Sequence, residues 1–517
     1  MREKIVHCAP LDARTAVAPE FATSLMNSFA QLHTHTRRAL VFAAVFIGFY
    51  FLYHAHRGLR AEFTHDDLMN CFGAVSSPPS TLVADILVFF RPSRTFRPLG
   101  TLVYRGAFDF SGFDLRPFRF LVLILLALNI FLTYCVARRL THSREIGIIA
   151  ALVNSYHLNL AYVYYSTGFI YDVLCFFFYF SALAYYLRVR QTGRPLRPHQ
   201  LLLFCGLYVL ALDSKELAVS LPVVIAAYEV LYLQALPRGR EFLRWLWRDF
   251  GPAWLTALMT LAYVAGRVLG PGSLGQVGAY QVKVSAMVYL QQAGHYLGEW
   301  LYAPGFFSWW KTLAIMIALL LLALLARSRA LGLCWVLYFA GVLPVAFIPA
   351  RGLNAACIPV VGLVVFVSTL AVLYRDALLR LVFNVLWRPL GQALLFAAVA
   401  GFMLLVHPDC KQLFIDYQPE YREIRTVREQ LSWLHPRFPA GSRILVANDA
   451  FRGDTWDIFF LFQLLYRRDN LVVDIFGKFN PKPDAASLAR YDYLLSFENG
   501  KVVEIKPDEF AKRYSRN

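Results

Sequence analysis

"PFRFLVLILLALNIFLTYCVA", Pro117 to Ala137, carries one cation near its start and is followed directly by Arg138 and Arg139. A helix needs about 20 mostly apolar residues to cross the hydrocarbon core of a bilayer, so this run predicts a spanning helix with its arginines at a membrane surface. Comparable runs recur between Ala39 and His407 of the 517-residue chain, and 58% of all residues are hydrophobic against 16% charged. That balance excludes a water-soluble domain of ordinary composition.

The runs predict about eleven transmembrane helices. They lie near Ala39 to His54, Pro117 to Ala137, Glu145 to Tyr162, Gly168 to Leu187, Gln200 to Leu212, Leu217 to Leu233, Pro252 to Leu269, Lys311 to Ala326, Ala330 to Ile348, Ala355 to Tyr374 and Pro389 to His407. The fifth is short enough to be partly re-entrant, and the pattern also admits an even count.

Loop charge supplies the orientation. Lys and Arg accumulate in short cytoplasmic loops, and here they follow every second segment: Arg138, Arg139 and Arg144; Arg188, Arg190, Arg194 and Arg197; Arg238, Arg240, Arg244 and Arg248; Arg327 and Arg329; Arg375, Arg380 and Arg388. The intervening turns, such as "YYSTG" from Tyr164 and "DSKE" from Asp213, carry no excess of cation. The alternation holds if Val282 to Tyr302, with Gln291, Gln292, His295 and Glu299, is a helix lying in the outer interface.

This predicts a cytoplasmic N-terminal arm over residues 1–38, a transmembrane domain over 39–407 with a large first external loop at 57–116, and a soluble extracytoplasmic α/β domain over 408–517. Topology then accounts for much of the net charge of +17, and no nucleic-acid partner is implied. The arginines of the first external loop, Arg91, Arg94, Arg97, Arg105 and Arg116, are not explained this way and suit an anionic ligand. No cleavable leader is read at the N-terminus. The eight cysteines have no metal or redox spacing; Cys71 and Cys410 would both be external, either paired or, preferably, as unrelated thiols. The chain has no N-x-Ser/Thr sequon, which leans toward a bacterial inner membrane.

In the tail, Arg443 to Asp449 and Asn470 to Phe476 read as buried strands flanking a helix, and Tyr491 to Ile505 as two strands joined at Asn499-Gly500. Asn448, Asp449, Arg452, Asp454 and Asp457 cluster where strand hands over to helix, as turn and capping residues or as a ligand site.

Four polar stretches meet the predicted outer surface: "FTHDDLMN" at Phe63, the arginine–proline stretch around Arg97, "LDSKELAVSLP" at Leu212, and Arg351 in "FIPARGLNAACIP". Charges beside spans are costly unless they face water or a partner. Neighbouring Asp66 and Asp67 cannot point the same way. One can face a cleft, as a proton acceptor or a ligand of a divalent metal, while "THDD" also suits helix capping. Pro98 restricts Arg97, whose guanidinium can grip a phosphate bidentately, and Lys215 supplies a second cation with Glu216 as neighbour. Tyr171, Asp172 and His157 are supporting candidates; lone polar groups on membrane helices often only bond a neighbouring helix.

"FTHDDLMN", "FRPLGTLVYR", "YYSTGFIYDVLCFFFYFSALAYYLR" and "LDSKELAVSLPVVIAAYEVLY", in that order, resemble the membrane portion of GT-C glycosyltransferases, in particular protein O-mannosyltransferases and the transmembrane-and-TPR O-mannosyltransferases. The resemblance covers Ala39 to Tyr232 and continues faintly to Pro359. It implies an enzyme that moves a sugar from a polyprenyl-phosphate carrier to an acceptor hydroxyl at the extracytoplasmic face, by single displacement with inversion. Asp66 or Asp67 would then be the base, and Arg97, Lys215 and Arg351 would hold the donor phosphate. Two features depart from the family: "PARGLNAACIP" keeps only Arg351 of an acidic-arginine-tyrosine pattern, and the tail shows no TPR repeat. A catalytically silent scaffold and a transporter or flippase of a lipid-linked glycan are the alternatives.

Overall fold

The computed structural model describes residues 19–91, 97–233, 238–268, 282–382, 387–448, 450–451, 456–467, 469–480, 482–498 and 500–514, with backbone alone at 19–37, 158, 382 and 485. Arg94, Asp449, Arg452, Asp454 and Asn499 therefore lie outside the described residues.

Helix α1 (Pro19–Gly58) leads into a first loop that is itself helical: α2 (His65–Ser76), α3 (Pro79–Leu87) and α4 (Pro98–Ser111). The quoted apolar run forms α5 (Arg116–Thr141), which stops at His142 in the left-handed region. Ser143 then caps α6 (Arg144–Ser155) by accepting from the Ile146 amide at 3.3 Å. After a short α7 (Tyr162–Tyr165), α8 (Ile170–Arg190) and α9 (Pro198–Ser214) pack side by side. A 3₁₀ turn at Glu216–Ser220 precedes α10 (Leu221–Leu231). Prolines in the first turns of α4, α5, α9 and α10 mark where these helices begin.

The second half runs through α11 (Arg240–Arg248), α12 (Gly251–Tyr263), α13 (Ala286–Trp300), α14 (Trp309–Leu325), α15 (Arg329–Gly341), α16 (Leu343–Ala346), α17 (Cys357–Val382) and α18 (Arg388–Leu405). By length and apolar composition, six helical stretches among the described residues can cross a membrane: 38–58, 116–141, 167–190, 329–346, 353–381 and 388–434. The chain is thus a mostly helical integral membrane protein, and a count of eleven spans is not confirmed.

The segment expected over Glu145 to Tyr162 shows why. Its helix ends at Ser155, where polar side chains turn to a neighbouring segment: His157 Nε2 meets the Trp300 carbonyl at 2.9 Å and Asn159 Nδ2 donates to the Glu299 carbonyl. The stretch expected to lie at the interface is α13, which buries Ala293, Tyr296 and Leu297 and packs on α14 and α16.

Beyond α18, α19 (His407–Asp416) and α20 (Gln418–Leu434) lead to β1 (Arg443–Val446), α21 (Asp457–Leu465), β2 (Val472–Ile475), α22 (Ala485–Leu488), β3 (Tyr493–Glu498), β4 (Lys501–Glu504) and α23 (Pro507–Tyr514). The sheet order is β2-β1-β3-β4, parallel except for β4. Parallel strands need a crossover, here α21 between β1 and β2. Asn448 fixes the middle of the sheet: its side chain donates to the Phe497 carbonyl at 2.7 Å and accepts from the Phe497 amide at 2.9 Å.

This α/β unit does not stand apart. Its Ile444, Leu461, Phe462 and Leu495 share one apolar core with Phe63, Leu68, Tyr104 and Phe108 of the first loop, and Phe72 of α2 lies 5.1 Å from the Phe460 ring. Cys71 and Cys410 are buried free thiols in different apolar clusters.

Candidate functional site

The site begins with the start of α2. Thr64 is the N-cap: its hydroxyl accepts from the Asp67 amide at 3.3 Å, while Asp67 Oδ2 accepts from the Thr64 amide at 3.0 Å. This reciprocal box satisfies donors that a helix start leaves open. Tyr104 of α4 donates to Asp67 Oδ1 at 2.8 Å, so the fully buried carboxylate holds α2 to α4. Burial raises the Asp67 carboxyl to about 6, against hydrogen bonds from Thr64 and Tyr104.

One residue earlier on the helix, about 100° around its axis, Asp66 faces elsewhere. It lines a cavity of about 550 Å³ together with Arg97, Asp172, Lys215, Glu216 and Arg351. These six side chains come from five separated stretches of chain. The cavity also has a long apolar wall that includes Leu217, Val264, Leu343, Val345, Phe347 and Ile348. A chamber with six charged side chains and a larger apolar wall suits an amphiphile with an anionic head.

The cations are held in place. Arg97 makes a fork on Glu216, Nε to Oε1 at 3.1 Å and Nη2 to Oε2 at 3.0 Å, and its guanidinium lies 5.4 Å from the Tyr171 ring centroid. Gly100 permits that stack, because a Cβ there would fall 2.3 Å from the Tyr171 ring. Burial works to raise the Glu216 carboxyl, yet Arg97 and Lys215 bring it below its ordinary value. Lys215, the residue that ends α9, reaches Asp172 in the first turn of α8. Arg351 sits between α16 and α17, its carbonyl meeting His295 Nε2 at 2.9 Å.

Partial desolvation at the cavity wall raises the Asp66 carboxyl above its ordinary value although the side chain stays accessible, and Asp457 adds to the effect, while His65 and Arg351 oppose it. The C-terminal unit reaches this point directly. His65 Nδ1 lies 3.1 Å from Asp457 Oδ2, and the His65 amide donates to Glu420 Oε1 at 2.7 Å. Gly168, between α7 and α8, approaches so closely that an added Cβ would lie 3.2 Å from the Asp66 Cβ.

Asp66, Arg97, Asp172, Lys215, Glu216 and Arg351 thus line one space, and three other sequence candidates do not. Asp67 is turned into the packing between α2 and α4. Tyr171 supports Arg97 from beside the cavity and donates to Asn70 Oδ1 at 3.2 Å. His157 is buried at the end of the α6 region, its ring parallel to Tyr302 at 4.6 Å. Sequence reasoning missed Gly168, Asn354 and the aliphatic wall, which carry no chemical signal of their own, and missed Glu420, whose partner is 355 residues away. Among the described residues no group of three or more His, Cys, Asp or Glu side chains is disposed to hold a metal ion.

Residues 92–268 match the family described as dolichyl-phosphate-mannose-protein mannosyltransferase. The matched stretch, about a third of the chain, contains Arg97, Asp172, Lys215 and Glu216 and leaves Asp66 and Arg351 outside it. No curated protein matches the chain.

Proposed function

We propose, from the premise that this is a GT-C mannosyltransferase-like membrane protein, that it transfers a sugar from a polyprenyl-phosphate-linked donor to an acceptor hydroxyl. The observation that carries the reading is the single cavity in which Asp66 shares walls with Arg97, Lys215 and Arg351. Departure of the donor phosphate leaves negative charge on its oxygens, and pre-placed guanidinium and ammonium groups stabilise that charge. Asp66 takes the acceptor proton as its oxygen attacks the anomeric carbon and the sugar–phosphate bond breaks, which inverts configuration. The aliphatic wall receives the first isoprene units of the carrier. On this reading, which loop charge supports, the reaction lies on the extracytoplasmic side with the N-terminus cytoplasmic and the tail extracytoplasmic; the absence of N-x-Ser/Thr sequons supports a bacterial inner membrane.

Purified protein in bilayers, supplied with a radiolabelled polyprenyl-phosphate sugar, should consume the donor when an acceptor extract is present, and the linkage should invert on NMR analysis. Movement of the lipid between leaflets without consumption would establish the flippase reading, and inertness in both assays the scaffold reading.

The direction of the Asp66 shift sets a pH dependence. A base must be deprotonated, so kcat/KM rises as pH climbs through the folded pKa, and this acidic limb lies above that of an ordinary aspartate. Arg351 favours the ionised carboxylate against Asp457. In Arg351→Gln the limb moves to higher pH, with a lower plateau; a limb that stays put separates Arg351 from the base. Gly168→Ala pushes a methyl toward Asp66 and lowers transfer by about tenfold, with the unfolding midpoint nearly unchanged. Wild-type turnover in that variant would show that the Asp66 position is not critical.

A further inference from the structure

The apolar stretch 38–58 of α1 and helix α5 each carry arginines at both ends: Arg38 and Arg57 on the first, Arg116 and Arg138 on the second. Whichever end faces the cytoplasm, the arginines at the opposite end run against the charge rule that orients spans. At the cavity end, Arg119 has a structural explanation: it is fully buried and donates to the carbonyls of Gly58 and Tyr164 and to Thr167 Oγ1. Arg60 and Arg116 are exposed instead. They line a separate pocket of about 360 Å³ with Arg425 and Arg428 of α20, and with Glu62 and Asp114.

The two carboxylates are already engaged. Arg425 Nη1 meets Glu62 Oε1 at 2.8 Å and Arg116 Nη2 meets Asp114 Oδ2 at 2.7 Å. Arg60 has no carboxylate within 4.0 Å among the described residues, and Arg428 has only Glu429 at 3.9 Å while lying 5.4 Å from the Phe113 ring centroid. The pocket therefore keeps a surplus of positive charge on two guanidiniums whose planar donor forks match phosphate oxygens. It also sits where α1 ends and α5 begins, the level at which lipid phosphates lie.

We propose that this pocket binds the phosphate of an anionic phospholipid, apart from the sugar-transfer cavity. Arg60 and Arg428 grip the headgroup, and bound lipid clamps α20 to the membrane ends of α1 and α5.

Full-length protein in mixed micelles of phosphatidylglycerol and phosphatidylcholine, read by native mass spectrometry, tests this. Wild type should retain phosphatidylglycerol over phosphatidylcholine by roughly tenfold, and Arg60→Gln/Arg428→Gln should lose that preference. The Arg60→Lys/Arg428→Lys pair, which keeps charge but not the fork, should be intermediate and serves if the glutamine pair misfolds. An undiminished preference in the glutamine pair overturns the proposal. Displacement of phosphatidylglycerol by millimolar inorganic phosphate also overturns it, since the pocket would then serve a soluble anion. Sugar transfer is not the readout, so the result stands whatever reaction the cavity performs.

Discussion

Replacing Asp66 with Asn should lower sugar transfer by about a thousandfold while the protein folds as before. Loss of a positioned general base costs typically 10²–10⁴ in rate, and Asn keeps the volume of Asp while losing the proton affinity. Nothing in the helix cap depends on Asp66, because Thr64 and Asp67 complete the box between them. Asp67→Asn should do the reverse: it puts an amide where two backbone or hydroxyl donors of Thr64 converge, and costs about 1–3 kcal/mol of stability with transfer falling only as folded protein is lost. Unfolding midpoints and single-turnover rates, taken together, separate the two. Equal transfer by Asp66→Asn and wild type would remove the base from the mechanism, and a dead but fully stable Asp67→Asn would move the role to its neighbour.

Lys215→Met carries the second large effect, on stability first. Lys215 and Asp172 have side chains 12% and 6% exposed and contact each other. Breaking a buried pair by removing one partner leaves an uncompensated charge, at a cost of about 3–5 kcal/mol. Lys215→Met should therefore lower the unfolding midpoint markedly, and Lys215→Met/Asp172→Asn should recover most of the loss because no charge is then stranded. Transfer should not recover with it, since the donor phosphate would still lack its ammonium partner. A double variant that regains both stability and turnover would reduce Lys215 to a structural role.

Much of this arrangement was legible in the sequence, for physical reasons that differ by residue. Six of the expected spans follow from length and apolarity, and the strands of the tail from β-branched runs and the Gly500 turn. The division of labour between Asp66 and Asp67 was half legible: helical geometry separates their directions and Thr64 announces a cap, but which acid faces the cavity depends on where α4 delivers Tyr104. Arg97, Lys215 and Arg351 were readable as charges beside spans. Their convergence with Asp66 depends on the packing of α2, α4, α8 and α9 and the chain before α17, which no local pattern encodes. The break after Ser155 was invisible for the same reason, as His157 and Asn159 find partners near Trp300. The contact of His65 with Asp457 joins residues almost 400 positions apart, and neither side announces the other.

That last separation bears on how the chain is made. The apolar faces of Leu68, Phe72 and Phe108 are covered by residues of the C-terminal unit, and at about 5–20 residues per second of synthesis the cover arrives tens of seconds after those faces emerge. A nascent chain halted before α21 should be cut by added protease within residues 64–76, where the finished chain resists. During that interval the apolar sides of α2 and α4 stand without their cover, so quality control has a clear mark by which to recognise unfinished copies.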